Sequence, residues 1–294
     1  MGTERFERRE YSGADGLRIV ADVGGDADWP TAILGHGGGQ TRHSWSLTAS
    51  ALLDAGYRVV NYDTRGHGES GWSSQGHYGI DHRADDLRVL IADAIGPVAL
   101  VGASLGGITA LYTAATTAAL NIRALVLVDI VPNPNPDGVA NIQNFMRRHM
   151  DGFARFEDAV AAVANYNPNR PRPRNPEGLM KNLRERDGRL YWHWDPRMIA
   201  DEQSPGQEEL AGALRAPTAR PTLPVLLTRG LDSDVVSDEG VAQLRALLPQ
   251  TEVLDVTGAG HMVTGDRNDA FNDGVLAFLR KHLPTALPSS LGDE

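Results

Sequence analysis

The sequence predicts an α/β fold built on a mostly parallel sheet with helices on both faces. Short apolar runs of strand length alternate along the chain with longer segments whose apolar residues recur at helical spacing. Several of these runs, such as Ala124–Val128, are apolar throughout, which is typical of parallel strands covered on both faces. Glycines end many segments, and this pattern suits strand-to-helix turns.

Eight strands are predicted, and the first two form a hairpin around residues 13–16. The predicted strands are Glu7–Tyr11, Leu17–Val23, Thr31–Leu34, Tyr57–Tyr62, Val98–Val101, Ala124–Val131, Pro224–Thr228 and Glu252–Val256.

Helices are predicted between most of the later strands. Residues 84, 87, 91 and 94 place apolar side chains on one face of the second helix, and Gly56 and Gly96 end the first two helices. The predicted helices are Ser44–Ala55, Asp81–Ile95, Leu105–Ala119, 138–150, 156–165, 177–186, Asp238–Leu248 and Asp269–His282.

The strand and helix alternation stops after residue 131 and resumes near residue 220. We therefore predict a core formed by residues 1–131 and 215–294, with residues 132–214 inserted as a helical cap over one end of the sheet. The insertion is rich in Trp, Phe, Met and Leu, so it is predicted to be ordered.

Composition excludes several classes of function. A net charge of −10 argues against nucleic-acid binding and against anionic membrane surfaces. With no cysteine, the chain has no disulfide, no thiolate zinc site and no cysteine nucleophile. The N-terminus is charged and no apolar run is long enough to span a bilayer, so we expect a cytoplasmic protein; a homo-oligomer is compatible with the sequence.

The strongest local motif is residues 102–107, Gly-Ala-Ser-Leu-Gly-Gly, between a predicted strand and a predicted helix. A serine on such a strained turn projects its hydroxyl above the sheet, and the small neighbours allow close backbone contact. The helix that follows points its N-terminus at the same place and favours negative charge there. We therefore predict that Ser104 is a nucleophile.

A serine nucleophile needs a base and an orienting carboxylate. His261 follows the last predicted strand, within Gly-Ala-Gly-His-Met, and is the predicted base. The turn after the strand at 224–228 carries two carboxylates; we favour Asp234, with Asp232 as the alternative. Asp129, which ends the strand before the insertion, is a third candidate.

Residues 36–40, His-Gly-Gly-Gly-Gln, follow the strand predicted at 31–34. Glycines there let a backbone N–H face the site, so we predict an oxyanion hole from the N–H groups of Gly38 and Leu105, with Gly39 as the alternative to Gly38. Residues 63–70, Asp-Thr-Arg-Gly-His-Gly-Glu-Ser, are predicted to form a structural turn held by charge and hydrogen bonds.

Together these motifs resemble the α/β-hydrolase superfamily across nearly the whole chain. The resemblance implies an eight-stranded sheet with a cap after the sixth strand, and it is nearest to the capped esterase, lactonase and cofactor-free peroxidase-like branch. One position departs from the pattern: many relatives carry the acid three residues after the glycine that ends the strand, where this chain has Ser233.

The sequence thus predicts a serine hydrolase that cleaves a small-molecule carboxylic ester through an acyl-enzyme, without cofactor or metal. Lactonase, thioesterase, cofactor-free perhydrolase or haloperoxidase, and carbon–carbon bond hydrolase activities would use the same residues. A non-catalytic ligand receptor on the same fold is an alternative of another class. Trp192, Trp194 and Met146 of the cap are predicted to line the substrate pocket.

Overall fold

A computed structural model describes residues 5–166, 176–200, 207–216, 222–261 and 268–286. Its strands are β1 (Glu7–Ser12), β2 (Arg18–Gly24), β3 (Thr31–Gly35), β4 (Arg58–Tyr62), β5 (Val98–Ala103), β6 (Ile122–Val128), β7 (Leu183–Arg186), β8 (Arg189–Trp192), β9 (Val225–Gly230) and β10 (Glu252–Val256).

The helices are α1 (Ser46–Asp54), α2 (Ile80–Ala92), α3 (Leu105–Thr116), α4 (Pro136–Arg148), α5 (Phe156–Tyr166), α6 (Arg197–Ala200), α7 (Gln207–Arg215), α8 (Asp238–Leu247) and α9 (Asn268–His282). Short 3-10 helices cover Arg42–Trp45 and Pro176–Asn182.

Eight strands form one sheet in the order β1-β2-β4-β3-β5-β6-β9-β10. The pairs β1–β2 and β2–β4 are antiparallel, and all the others are parallel. The predicted sheet is confirmed, including the hairpin at its edge. Because β3, β5, β6, β9 and β10 run in the same direction, the loops after them meet at one edge of the sheet.

The buried strands alternate their side chains between two apolar layers. In β5, Val98 and Leu100 belong to the layer under α2, α3, α7 and α8, whereas Ala99 and Val101 belong to the layer under α1 and α9. The period of two follows from the pleat. Burial on both faces is the reason that these strands read as continuous apolar runs.

The chain between β6 and β9 adds no strand to the main sheet within the described residues, and part of it has its own apolar cluster. Two features differ from the predicted helical cap. Residues 183–192 form the β7–β8 hairpin where a helix over 177–186 was predicted. In α7, Leu210 and Leu214 pack in the main core, so this end of the range 132–214 is not part of the separate cluster.

Close backbone contact between β3 and α3 needs glycine at position 106. A Cβ there would lie 2.3 Å from the carbonyl oxygen of Gly35. This contact brings the start of α3 against the end of β3, so the Ser104 turn and the loop after Gly35 are neighbours.

We expect Gly106→Ala to destabilise the fold by about 2 kcal/mol or more, because two packed backbone segments would have to move apart. Gly212→Ala is the matched control: a Cβ at Gly212 in α7 meets nothing within 4 Å. That change should stabilise the protein by up to about 1 kcal/mol through helix propensity. Thermal and urea unfolding measure both, and equal stability of the Gly106→Ala variant and the parent would contradict the contact.

Candidate active site

Ser104 occupies a strained turn between β5 and α3. Its backbone has φ 45° and ψ −110°, a conformation that side-chain-bearing residues rarely adopt. Its N–H donates to the carbonyl of Val128 in the neighbouring strand at 3.1 Å, and the Gly106 N–H donates to the carbonyl of His36 at 3.1 Å. The serine is therefore held at the carboxyl end of the sheet, next to both flanking strands.

Asp129 takes the equivalent position one strand away. Ala103 lies opposite Val128 in the parallel β5–β6 pair, so the residues that follow them leave the sheet side by side. Asp129 also has a positive φ, 48°, and its N–H donates to the carbonyl of Thr228 at 2.8 Å. Strained backbone of this kind concentrates at functional sites.

The imidazole of His261 contacts this carboxylate. Nδ1 of His261 lies 2.7 Å from Oδ2 of Asp129, whose side chain is fully buried. An ionised carboxylate only accepts hydrogen bonds, so the contact assigns the imidazole proton to Nδ1 and leaves Nε2 as a base. The loops after β6 and β10 thus bring an acid and a base together beside the strand that carries Ser104.

The expectation that Asp234 orients the histidine is not what the structure shows. Oδ2 of Asp234 accepts a hydrogen bond from Asn141 of α4 at 3.3 Å, and the backbone of Asp234 packs against Gly138. Both Asp234 and the alternative, Asp232, are exposed side chains.

The physical reason is the direction of the residue between them. Ser233 points inward, and its hydroxyl donates to Oδ2 of Asp129 at 2.6 Å while accepting the N–H groups of Val235 and Val236. The side chains on either side of Ser233, those of Asp232 and Asp234, are exposed instead. The N–H of Gly230 adds a third donor to Asp129, on Oδ1 at 3.2 Å.

The glycine loop after β3 lies beside the serine. A Cβ on Gly37 would lie 3.6 Å from Cβ of Ser104. The loop is a tight turn in which the N–H of Gln40 donates to the carbonyl of Gly37, and the Gly37 N–H donates to the Gln40 side chain, each at 3.1 Å.

Within this loop the two candidate oxyanion donors differ. The N–H of Gly39 donates to Nε2 of His67 at 3.0 Å, so it is already engaged. For the N–H of Gly38 the described residues provide no partner, and a Cβ at Gly38 would meet nothing within 4 Å. Leu105 is the first residue of α3, and N–H groups at that position have no partner inside a helix. The contacts favour Gly38 over Gly39.

The turn at residues 63–70 supports this loop, as predicted for a structural motif. The buried carboxylate of Asp63 accepts the N–H groups of Arg42 and Glu69 and the guanidinium of Arg42. His36 and His67 are also fully buried, with ring centroids 4.9 Å apart. Burial lowers the pKa of His67 far below its usual range, and the neighbouring His36 lowers it further. Neutral His67 can therefore accept the Gly39 N–H.

The three predicted pocket residues separate into two groups. A Cβ on Gly39 would lie 3.5 Å from Cε of Met146 and 3.7 Å from Nε1 of Trp194, so these two side chains cover the glycine loop. Trp192 instead packs against Phe145 and Phe153, in the apolar cluster of the segment between β6 and β9.

The described residues contain no group of three or more His, Asp or Glu side chains arranged to hold a metal ion. Among the helices in the described ranges, none combines the length and apolar character needed to cross a bilayer.

Comparison with known proteins agrees with this architecture. Residues 32–274 match the model of the alpha/beta hydrolase family. The chain belongs to this family. An esterase of Mycobacterium tuberculosis is 30% identical over 257 residues, which cover 83% of this chain and 80% of that protein. Its crystal structure has a TM-score of 0.72 at 26% identity, covering 95% of this chain and 93% of that chain.

Two further matches are a solved structure with a similar fold and a curated protein that is similar over about half of this chain. The crystal structure of E-2-(acetamidomethylene)succinate hydrolase covers 93% of this chain and 99% of its own, with a TM-score of 0.77 at 22% identity. Protein phosphatase methylesterase 1 of Mus musculus is 29% identical over 162 residues, 53% of this chain. The match spans only 41% of that methylesterase.

This chain carries its inward-facing carboxylate, Asp129, on the loop after β6, and it has a serine at position 233 after β9. A sequence signal for this arrangement existed. Asp129 directly follows a buried strand next to the Ser104 strand, and Ser233 stands at the position where the resemblance implies a carboxylate.

We expect acid to destabilise the protein partly through His67. An unfolded histidine has a pKa of about 6.5, so below that pH the unfolded chain binds a proton that the folded His67 does not. The stabilisation is present above about pH 6.5 and is lost as the pH falls. His36, whose pKa burial also lowers, contributes with the same sign.

His67→Gln tests this, because its amide oxygen can accept the Gly39 N–H without titrating. Urea unfolding at pH 7.5, 6.5 and 5.5 measures the free energy of unfolding. As the pH falls, this free energy should decrease less in the variant than in the parent, by up to about 1.4 kcal/mol per pH unit. An identical pH dependence in both proteins would refute the contribution of His67.

Proposed function

We propose that this protein hydrolyses carboxylic esters of small molecules through an acyl-enzyme formed on Ser104. The observation that carries the proposal is the 2.7 Å contact between His261 and Asp129, on loops that leave the sheet beside the Ser104 turn. The esterase similarity over 83% of the chain supports the same reaction class.

In this mechanism Oγ of Ser104 attacks the ester carbonyl carbon while Nε2 of His261 takes the hydroxyl proton. The carbonyl oxygen becomes an oxyanion, which the N–H groups of Gly38 and Leu105 stabilise. When the tetrahedral intermediate collapses, the bond to the alcohol oxygen breaks, and His261 gives its proton to the leaving alcohol. Water then attacks the acyl-enzyme with His261 as base, and the acid and free Ser104 are released.

Asp129 acts through the histidine. Its carboxylate holds the tautomer with the proton on Nδ1 and stabilises the imidazolium that forms during each proton transfer. The hydroxyl of Ser233 and the N–H of Gly230 fix the carboxylate in turn, so its orientation does not depend on solvent.

The same arrangement argues against a non-catalytic receptor. A receptor needs no base with its proton placed on Nδ1, and no unpartnered N–H beside a strained serine. We also propose that Met146 and Trp194 belong to the substrate pocket, and that the surrounding segment between β6 and β9 acts as a cap.

We expect Ser104→Ala to lower kcat for p-nitrophenyl butyrate by a factor on the order of 10⁴ or more, since no acyl-enzyme can form. Ser50→Ala, which removes a hydroxyl on the surface of α1, is the control and should retain full activity. A fluorophosphonate probe should label the parent and the control but not Ser104→Ala. Unchanged turnover by Ser104→Ala would end the proposal.

A matched pair of variants tests the acid. Asp129→Asn should lower kcat on the order of 10⁴-fold, because an amide cannot hold the required tautomer. Asp234→Asn should stay within about twofold of the parent, as expected for an exposed side chain outside the site. Steady-state kinetics on both purified variants, with circular dichroism to check folding, give the comparison. A larger loss of kcat in Asp234→Asn than in Asp129→Asn would instead assign the orienting carboxylate to Asp234.

A further inference from the structure

The indole of Trp194 lies over the glycine loop, on a segment that is hydrogen-bonded to the turn at residues 63–70. The residues on both sides of it are tied to the turn at 63–70: Nδ1 of His193 lies 3.1 Å from the carbonyl oxygen of Gly68, and the Asp195 N–H donates to the carbonyl of Gly66 at 2.8 Å. The Asp195 carboxylate also accepts the hydroxyl of Tyr78. Trp194 itself is only 4% exposed.

Its Nε1 lies 3.7 Å from the position that a Cβ on Gly39 would take. Within the described part of the chain this N–H makes no hydrogen bond, although the N–H of a buried Trp side chain usually finds an acceptor. The space above the adjacent Gly38 is open, because a Cβ there would meet nothing within 4 Å. Among the described residues, a polar donor therefore lies close to open space beside the proposed oxyanion hole.

The missing partner alone does not distinguish Trp194. The indole nitrogens of Trp45, Trp72 and Trp192 are enclosed without a partner among the described residues, and the Trp194 nitrogen is not one of these enclosed atoms. Location distinguishes it: Trp192 is enclosed by Phe145 and Phe153, whereas the Trp194 nitrogen lies against the loop next to Ser104.

The order of the strands assigns this donor to one side of the substrate. The sheet runs β3-β5-β6-β9-β10, so the glycine loop after β3 and the His261 loop after β10 flank Ser104 from opposite sides. The leaving alcohol must receive its proton from His261 and therefore lies toward β6. In the proposed mechanism the carbonyl oxygen faces the glycine loop, and an acyl group that extends from it on that side would lie next to Trp194 and Met146.

We propose that Trp194 determines acyl specificity, donating its indole N–H to an oxygen acceptor that the acyl group carries within a few bonds of the scissile carbonyl. The preferred substrates are then esters of oxygen-substituted acids, such as ether or keto acids, rather than plain alkyl esters. This inference depends on the proposed ester hydrolysis at Ser104.

Isosteric ester pairs test the proposal. p-Nitrophenyl methoxyacetate and p-nitrophenyl butyrate differ by an ether oxygen in place of a methylene, and p-nitrophenyl levulinate and p-nitrophenyl 4-methylpentanoate differ by a ketone oxygen in place of a methyl group. In Trp194→Phe, kcat/KM should fall about 5- to 10-fold more for the oxygen-bearing member of at least one pair, the loss expected for one hydrogen bond. The ratio within a pair does not depend on the fraction of active enzyme.

Trp192→Phe is the matched control, since it removes the same N–H from the enclosed cluster and should leave both ratios unchanged. If the parent hydrolyses these esters and Trp194→Phe alters neither ratio, the specificity proposal fails while the esterase proposal stands. If the parent hydrolyses none of the four esters, the proposed function itself fails. Equal ratio changes in Trp192→Phe and Trp194→Phe would also overturn the assignment to Trp194.

Discussion

The hydrogen bond between Asp129 and His261 is the contact on which the arrangement of the site depends. It joins the loop after β6 to the loop after β10, across the end of β9. The buried carboxylate also accepts hydrogen bonds from Gly230, the last residue of β9, and from Ser233 in the turn that follows. A buried carboxylate is stable only when its oxygens are paired in this way. The same set of donors that makes its burial tolerable also fixes the direction in which it presents an acceptor to the imidazole.

A second set of buried polar contacts orders the opposite side of the site. His67 accepts the Gly39 N–H, and the Asp63 carboxylate holds the turn that carries His67. The β7–β8 hairpin packs on this turn as well, because the Arg184 guanidinium donates to the carbonyl of Gly68. The proposed oxyanion loop and the proposed acyl pocket thus both rest on the turn at residues 63–70, whose buried polar groups are hydrogen-bonded.

The sequence predicted most of the sheet, because strands buried on both faces must be apolar throughout and glycine must stand where α3 meets β3. It did not predict the β7–β8 hairpin. The strand β7 reads Leu-Arg-Glu-Arg, so it has no recurring apolar residue that would distinguish a strand from a helix. Its conformation is decided by pairing with residues 189–192. Likewise, nothing local indicates that α7 packs in the main core.

By itself the sequence determined the fold family, the Ser104 turn and the return of His261 to the same edge of the sheet, since each follows from a local pattern of glycine and apolar residues. Only the tertiary structure decided which carboxylate meets the imidazole. Asp129, Asp232 and Asp234 all follow strands that end at that edge. The choice among them depends on Ser233 turning inward to Asp129, and that contact joins residues 104 positions apart in the chain.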